Sequence, residues 1–134
     1  MFPAMIMAVL QLPDIEKRDF SKLSQVFYGA SPISETVLRR AVEVFQCDFI
    51  QMYGMTETTG TVVNLSAEDH RRALAGRPEL LRSCGRPSVG AEAKVVDADG
   101  VELPRGEIGE IWLKSDTNMQ SYYNLPEETR TNLT

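Results

Sequence analysis

The stretch QVFYGASPISETVLRRAVEVFQCDFIQMYG, residues 25–54, decides the predicted fold. It begins with a β-prone run that ends at Gly29, and residues 48–52 form a second β-prone run that ends before Tyr53. Between the two runs, Ser34 is a favourable helix N-cap residue. The helix that follows carries an apolar stripe of Val37, Leu38, Ala41, Val44 and Phe45. A strand, a helix and a strand in this order predict a β-α-β unit with parallel strands.

The carboxyl ends of these two predicted strands mark the place where we expect a ligand to bind. Crossovers between parallel strands are nearly always right-handed, so the strands point the same way and their carboxyl ends lie together. Ligands of open parallel sheets bind in the crevice outside such ends. The residues at these ends are Gly29-Ala30-Ser31-Pro32 and Tyr53-Gly54-Met55-Thr56-Glu57.

The residues that follow the second strand are of the types that a nucleotide with Mg²⁺ requires. Gly54, beside the aromatic Tyr53, permits a close approach of the backbone to a flat ligand. Thr56 offers a hydroxyl group for a phosphate, and Glu57 offers a carboxylate for a hard cation. The spacing alone leaves an alternative open, because Thr-Glu-Thr-Thr after a glycine is also typical of an ordinary loop with an N-cap residue.

The pattern changes near residue 85, beyond which glycines and prolines separate short strands. Residues 91–96 and 101–103 flank Asp97-Ala98-Asp99-Gly100, which is a hairpin signal. Residues 110–114 alternate between two faces in the manner of a half-buried strand. We therefore expect an antiparallel β element in this part of the chain.

Composition and charge argue against several classes of function. With 43% hydrophobic and 25% charged residues, the chain resembles ordinary globular proteins. The net charge is −5 and the basic residues are scattered, so we expect no binding to nucleic acid. Two separated cysteines and one histidine assemble no zinc site. The apolar residues 2–12 are too short to span a bilayer, and we expect no integral membrane segment and a cytoplasmic location.

Two helices are predicted outside the β-α-β unit. One is a buried helix over residues 2–12. Its inner face is expected to comprise Met5, Ile6, Val9 and Leu10. The other begins at Ser66, which forms an S-x-x-D capping box with Asp69, and runs towards Leu74. His70 lies among charged residues in that helix, and we expect it to be a solvated surface histidine.

Five ordered motifs are similar to those of the adenylate-forming superfamily, which contains acyl-CoA synthetases, luciferases and the adenylation domains of peptide synthetases. The most specific is YG-x-TE, at residues 53–57. The others are a Gly-rich turn, a G-x-P-x-x-G segment, a GE-x-GE-[IL] strand and a closing segment that resembles fatty-acyl-CoA synthetases. They lie at residues 28–33, 83–90, 106–111 and 114–129.

This resemblance implies roles for the first turn and for the aromatic residue. In the family, the turn that matches Gly29-Ala30-Ser31 packs its backbone against adenine, and the aromatic residue that matches Tyr53 stacks on the other face of the ring. Because the backbone makes the contact, turn capping explains the Ser31 side chain as well as ligand contact does. The residues expected near the acyl group are Gly29, Gly54 and Gly60.

Thr56 and Glu57 receive the catalytic roles. The threonine that matches Thr56 contacts the phosphate, and the glutamate that matches Glu57 helps to hold Mg²⁺. Gly54 and Met55 complete the expected nucleotide-binding set. The implied substrates and cofactors are ATP (released as AMP), Mg²⁺, CoA and a small-molecule carboxylic acid.

The resemblance also implies the reaction, which is that of an acid-thiol ligase. An AMP-forming acyl-CoA synthetase converts a fatty acid and ATP into an acyl-adenylate and then transfers the acyl group to CoA. Two alternatives stay open. The acceptor is a carrier-protein thiol in one, and in the other the chain is a non-catalytic nucleotide-binding module.

The expected fold class is α/β. A partial adenylate-binding subdomain in residues 1–84, with a parallel β-α-β sheet segment, precedes part of a small antiparallel β-barrel in residues 85–134. No lysine-containing phosphate loop is recognised in the sequence, so we interpret the chain as an interior fragment of an acyl-CoA synthetase N-terminal domain. We expect the fragment alone to be inactive, to bind ATP weakly and to form homo-oligomers through uncovered sheet edges.

Overall fold

The structure is a computed structural model that describes residues 1–133. The helices of this part of the chain are α1 Pro3–Leu10, α2 Glu35–Phe45, α3 Ala67–Leu74 and α4 Pro126–Asn132. Its strands are β1 Gln25–Gly29, β2 Asp48–Met55, β3 Gly60–Leu65, β4 Arg86–Pro87, β5 Ala91–Val96 and β6 Glu110–Ser115. The first four strands form one sheet in the order β1-β2-β3-β4, and the last two form a separate sheet.

The predicted β-α-β unit is confirmed. β1 and β2 pair in parallel, from Gln25 opposite Asp48 to Gly29 opposite Met52. α2 connects them, and the Val37 amide donates a hydrogen bond of 3.4 Å to the Oγ of Ser34, the predicted N-cap residue. The end of β1 at Gly29 therefore lies beside Met52 of β2, as parallel pairing of the two strands requires.

The chain divides into two compact units, which we call the first unit (residues 1–53 and 63–86) and the second unit (residues 54–62 and the chain from 87 onward). A buried apolar cluster lies in the first unit, where the inner face of α2 packs against β1, β2 and α1. Its members are Ile6, Val26, Tyr28, Ile33, Leu38, Ala41, Phe45 and Phe49. The boundary at residues 84 and 85, which the change of pattern predicted, stays a prediction.

The first helix is shorter than predicted and buries a narrower face. Ile6 is fully buried, but Met5 is 50% exposed, so its assignment to the inner face is wrong. Val9 and Leu10 are half-buried against the core. A helix of two turns can place only a few side chains against the core, and in α1 the buried residues are Pro3 and Ile6. Within residues 1–133, no helix combines the length and the apolar character needed to cross a membrane.

The second unit contains the predicted antiparallel element. β5 and β6 pair from Ala91 opposite Ser115 to Val96 opposite Glu110. The predicted hairpin after β5 is reduced to a single bridge between Val96 and Glu102. The two sheets give an α/β fold, and the described strands include no closed barrel.

Candidate functional site

The first part of the candidate site is the turn after β1. A Cβ atom on Gly29 would lie 2.2 Å from the Met52 carbonyl oxygen, so any other residue would force the two strand ends apart. Ala30 follows with a φ of 65°, in the left-handed region, and Ser31 is exposed. The turn is therefore exposed to solvent beside Met52 of β2. A ligand contact made by the backbone of the turn requires such exposure.

Gly54 brings β2 and β3 unusually close together. A Cβ atom on Gly54 would meet the Gly60 carbonyl oxygen at 1.8 Å. Packing within the second unit is thus sufficient to explain why glycine occupies position 54. A place for Gly54 and Gly60 beside an acyl group stays a prediction. Stacking of Tyr53 on adenine also stays a prediction, and this side chain is half-buried at the end of the first unit's part of β2.

A 3₁₀ turn, Thr56–Thr58, follows β2 and carries the two residues expected to act on phosphate and cation. Thr58 is buried, and its hydroxyl oxygen accepts a 3.0 Å hydrogen bond from the Met55 amide and lies 2.7 Å from the Gly60 carbonyl oxygen. These bonds tie both ends of the turn to one side chain. Thr56 is exposed, so its hydroxyl is accessible to a ligand.

The segment after β6 fixes Glu57 on this turn. The Tyr122 hydroxyl donates a hydrogen bond to Glu57 Oε1, and the Met119 amide donates one of 2.8 Å to the Glu57 carbonyl oxygen. The bond from Tyr122 is the main reason that the pKa of the Glu57 carboxyl lies below its usual value. Glu57 is therefore an ionised carboxylate at neutral pH, which is the form that binds a hard cation.

The donor set around Glu57 fits a magnesium ion that arrives with a nucleotide. Among residues 1–133, no three His, Cys, Asp or Glu side chains come close enough to form a metal cage. Mg²⁺ is usually held by one or two carboxylates together with waters and substrate phosphates, so a single carboxylate beside Thr56 is adequate. Glu57 lines a cavity of about 890 Å³ in the second unit, which also has Met55, Lys94, Trp112 and Tyr122 in its walls.

The predicted site residues fall into both units. The first unit contains Gly29, Ala30, Ser31 and Tyr53, and the second contains Gly54, Met55, Thr56, Glu57 and Gly60. Within the first unit, Gly29 lies opposite Met52, the residue before Tyr53. Within the second, Gly54, Gly60 and the Thr56–Thr58 turn are neighbours. The ligand roles of all nine residues stay predictions.

His70 was predicted to be solvated, and that prediction is wrong. The side chain is 2% exposed, and its Nε2 atom lies 2.8 Å from the Tyr28 hydroxyl. Its Nδ1 atom lies 2.8 Å from the Ser66 carbonyl oxygen, which only accepts hydrogen bonds. His70 faces the core with Ala73 at helical spacing, a signal that the charged neighbours in the sequence obscured.

Sequence reasoning also missed the contacts of Asp69. This side chain is 2% exposed and accepts hydrogen bonds from the Ser66 hydroxyl at 2.9 Å and from Arg86 Nη1 at 2.8 Å. The predicted N-cap residue Ser66 is confirmed, because the Asp69 amide donates to the Ser66 hydroxyl. The Asp69 carboxylate accepts from that same hydroxyl, so only the first of the two bonds of the predicted capping box is shown. Asp69 therefore joins the start of α3 to β4 within the first unit.

Comparison with known proteins places this arrangement in a family. Residues 1–123 match the family of AMP-binding enzymes. The chain is 39% identical over 127 residues to the fatty acid–[acyl-carrier-protein] ligase ScoC of Streptomyces coeruleorubidus, covering 95% of this chain and 24% of that protein. It is 37% identical to the medium/long-chain-fatty-acid–CoA ligase FadD8 of Mycobacterium tuberculosis, covering 95% of this chain and 21% of that protein.

Solved structures agree with this assignment. The amide bond synthetase McbA of Marinactinospora thermotolerans superimposes on the whole chain with a TM-score of 0.87 at 31% identity, and the match covers 26% of that protein. The N-terminal domain of FACL13 of Mycobacterium tuberculosis gives a TM-score of 0.83 at 28% identity and is covered to 31%. The chain thus spans about a quarter of the length of the curated relatives. By sequence and by fold, it belongs to the AMP-binding family of adenylate-forming ligases.

Proposed function

We propose that the chain carries part of the adenylate-binding site of an AMP-forming ligase that activates a fatty acid with ATP and transfers the acyl group to CoA. The observation that carries the proposal is the Glu57 carboxylate, kept ionised and held on a fixed turn at the carboxyl end of β2. Family membership supplies the class of nucleotide, and the fatty acid–CoA ligase at 37% identity supplies the class of substrate.

The chemistry has two steps. In the first, a fatty-acid carboxylate oxygen attacks the α-phosphorus of ATP, the bond to the pyrophosphate oxygen breaks, and acyl-adenylate and pyrophosphate form. In the second, a thiol adds to the acyl carbon and loses its proton, and AMP leaves. The first step needs no general base, because the attacking carboxylate is already ionised. It depends instead on positioning and on stabilisation of phosphate charge.

The residues of this chain would share those tasks. The backbone of Gly29–Ser31 and the ring of Tyr53 would hold the adenine, and the Thr56 hydroxyl would donate a hydrogen bond to a phosphate oxygen. Glu57 would hold Mg²⁺, which supplies charge neutralisation at the phosphates when bound. Gly29, Gly54 and Gly60 would leave room for the acyl carbonyl, and the two hydrogen bonds of the Thr58 hydroxyl would keep the turn rigid.

A carrier-protein thiol is the second candidate acceptor. The observation that favours it is the fatty acid–[acyl-carrier-protein] ligase at 39% identity, a value similar to that of the CoA ligase. Both reactions share the adenylation step and differ only in the thiol. A non-catalytic nucleotide-binding module is a third candidate, and the absence or presence of AMP release distinguishes it from both ligases.

The experiment is an assay of the full-length protein with a panel of acids, namely acetate, octanoate, palmitate and benzoate, and two acceptors. AMP release is measured with CoA and with a carrier protein bearing its phosphopantetheine thiol. Release with CoA and a fatty acid supports the proposal, and release with the carrier protein alone moves the acceptor to the second candidate. If ATP binds but none of the four acids gives AMP release, the chain belongs to a non-catalytic nucleotide-binding module.

We also propose a cytoplasmic location and self-association of the 134-residue chain. Apolar side chains are exposed in the first unit, with Phe27 on β1 at 44% and Met5 on α1 at 50%, and such surfaces favour pairing with a second copy. Light scattering of the chain tests this. A single monomeric species at tens of micromolar would contradict it, since weak associations have dissociation constants on the order of micromolar.

A further inference from the structure

The segment that follows β6 contacts the Thr56–Thr58 turn at three points. The Thr117 Oγ1 donates a hydrogen bond of 2.9 Å to the Thr58 carbonyl oxygen, and the Met119 amide donates one of 2.8 Å to the Glu57 carbonyl oxygen. The third contact is the bond from the Tyr122 hydroxyl to Glu57 Oε1. Two contacts thus fix the backbone of the turn, and only the third reaches a side chain that could meet a ligand.

Tyr122 itself is fixed at its backbone. Its amide donates a hydrogen bond of 3.0 Å to the Thr129 hydroxyl in α4, and that hydroxyl lies 2.8 Å from the Leu125 carbonyl oxygen. The segment is also fixed at its other end, because the Asn118 side-chain amide donates a hydrogen bond of 3.1 Å to the Leu113 carbonyl oxygen of β6. The Tyr122 hydroxyl is therefore a preorganised donor and not a mobile surface group.

We propose that Tyr122 is a positioning residue for the cation ligand of the adenylation reaction, with its hydroxyl fixing the orientation of the Glu57 carboxylate. The inference rests on the function proposed above. An ionised carboxylate has two oxygens with about four lone-pair positions, so one hydrogen bond from a phenol leaves room for a cation. Partners of this kind typically orient a metal-ligating side chain before the metal binds.

The electrostatics of the pair agree with this role. The bond from Tyr122 holds the pKa of the Glu57 carboxyl below its usual range, and the same bond raises the pKa of the Tyr122 phenol. Each shift has the hydrogen bond as its largest cause. At neutral pH Glu57 is thus ionised and the Tyr122 phenol is protonated, as ordinary side chains of these types also are, so the geometry of the hydrogen bond carries the proposed role.

The test measures how pyrophosphate exchange by the full-length protein depends on Mg²⁺. Tyr122→Phe removes the hydroxyl and keeps the ring, and we expect it to raise the Mg²⁺ concentration for half-maximal exchange by about 10-fold, the low end for loss of such a partner. Tyr123→Phe is the matched control, because this neighbouring side chain is 89% exposed. Thr117→Val is the second control, because it removes a backbone contact of the same segment and leaves the carboxylate alone.

A Mg²⁺ dependence of Tyr122→Phe equal to that of the unchanged protein would overturn the inference. An equal rise in Thr117→Val would also overturn it, because the segment would then act only by holding the backbone. If the unchanged protein shows no pyrophosphate exchange that depends on an acid, the result contradicts the proposed function itself and not the role of Tyr122.

A second measurement does not depend on enzyme activity. It also tests the hydrogen bond if the Tyr122→Phe variant does not fold, because it compares the unchanged chain with Glu57→Gln. The absorbance of tyrosinate is followed against pH in the chain and in Glu57→Gln. Loss of the charge should shift one phenol to a lower pKa, and this transition should be missing in Tyr122→Phe where that variant folds. Identical titration curves for the chain and Glu57→Gln would contradict the hydrogen bond on which the inference depends.

Discussion

His70 and Tyr28 form a buried pair, with 2.8 Å between the imidazole Nε2 atom and the phenol oxygen. Because Nδ1 faces the Ser66 carbonyl oxygen, Nδ1 carries the proton and Nε2 is the acceptor. The Tyr28 hydroxyl therefore donates to a neutral imidazole. Burial of this hydroxyl raises the pKa of the Tyr28 phenol, so it stays a donor throughout the physiological range.

Tyr28→Phe should destabilise the first unit. The substitution leaves His70 Nε2 as a buried acceptor without its donor, which typically costs about 1–3 kcal/mol. The free energy of unfolding, from urea denaturation, should fall by that amount. Tyr123→Phe is the control and should change it by less than about 0.5 kcal/mol, as exposed substitutions do. Equal stability of the two variants would show that the pair contributes nothing.

His70 should also make stability depend on pH. Burial is the largest cause that lowers the pKa of His70, although the bond to Ser66 and the charge of Asp69 oppose it. The unfolded chain, with a histidine pKa of about 6.5, therefore binds the proton more readily than the folded one. The free energy of unfolding should fall as pH drops through about 6.5 and should level off below the folded pKa.

This is the chain's single histidine, so an NMR titration of its ring reports the folded pKa directly. Denaturation at pH 5.5 and 7.5, compared with a His70→Gln variant, measures the consequence. A ring that titrates above 6.5 would reverse the expected sign.

Tyr53→Ala should weaken the binding of ATP to the full-length protein. If the ring stacks on adenine, its loss should cost about 1–3 kcal/mol of binding free energy, as for bases stacked on aromatic side chains. Tyr53→Phe keeps the aromatic face and serves as the matched control. Calorimetric titration gives both affinities, and an alanine variant that binds as well as the phenylalanine variant would exclude stacking.

Glu57→Gln should slow pyrophosphate exchange strongly while leaving the fold nearly intact. The substitution removes the charge that we propose to hold the cation and keeps the shape of the side chain, so a loss of roughly 10²-fold is expected, as for removal of one group that stabilises transition-state charge. Glu107→Gln, at an exposed position outside the candidate site, is the control. Exchange at the unchanged rate in the Glu57 variant, at ordinary Mg²⁺, would remove Glu57 from its assigned role.

Local signals predicted much of the fold and part of the site. The β-α-β unit and the caps at Ser34 and Ser66 depend on spacing within a few residues, and the sequence displays them directly. The motif at residues 53–57 likewise identified the turn that carries Thr56 and Glu57. Contacts between distant segments are different, because no local pattern encodes them. Tyr28 and His70 are 42 residues apart in the chain, and Glu57 and Tyr122 are 65 apart.

The two errors have the same origin. His70 was assigned to the surface because its sequence neighbours are charged, yet α3 turns those neighbours outward and His70 inward. Met5 was assigned to the core because it lies among apolar residues, yet only one narrow face of α1 meets the core. In both helices, the identity of the packing partner decided burial, and composition did not.

Transfer of oxygen from the fatty acid to AMP tests the central claim most directly. A fatty acid labelled with ¹⁸O in both carboxylate oxygens is incubated with ATP, CoA and the full-length protein, and AMP is analysed by mass spectrometry. Attack of the carboxylate on the α-phosphorus, followed by displacement by the thiol, leaves one labelled oxygen on AMP. We expect that single label in the AMP formed. AMP without label, or ADP and labelled phosphate in its place, would contradict an acyl-adenylate intermediate and with it the proposed function.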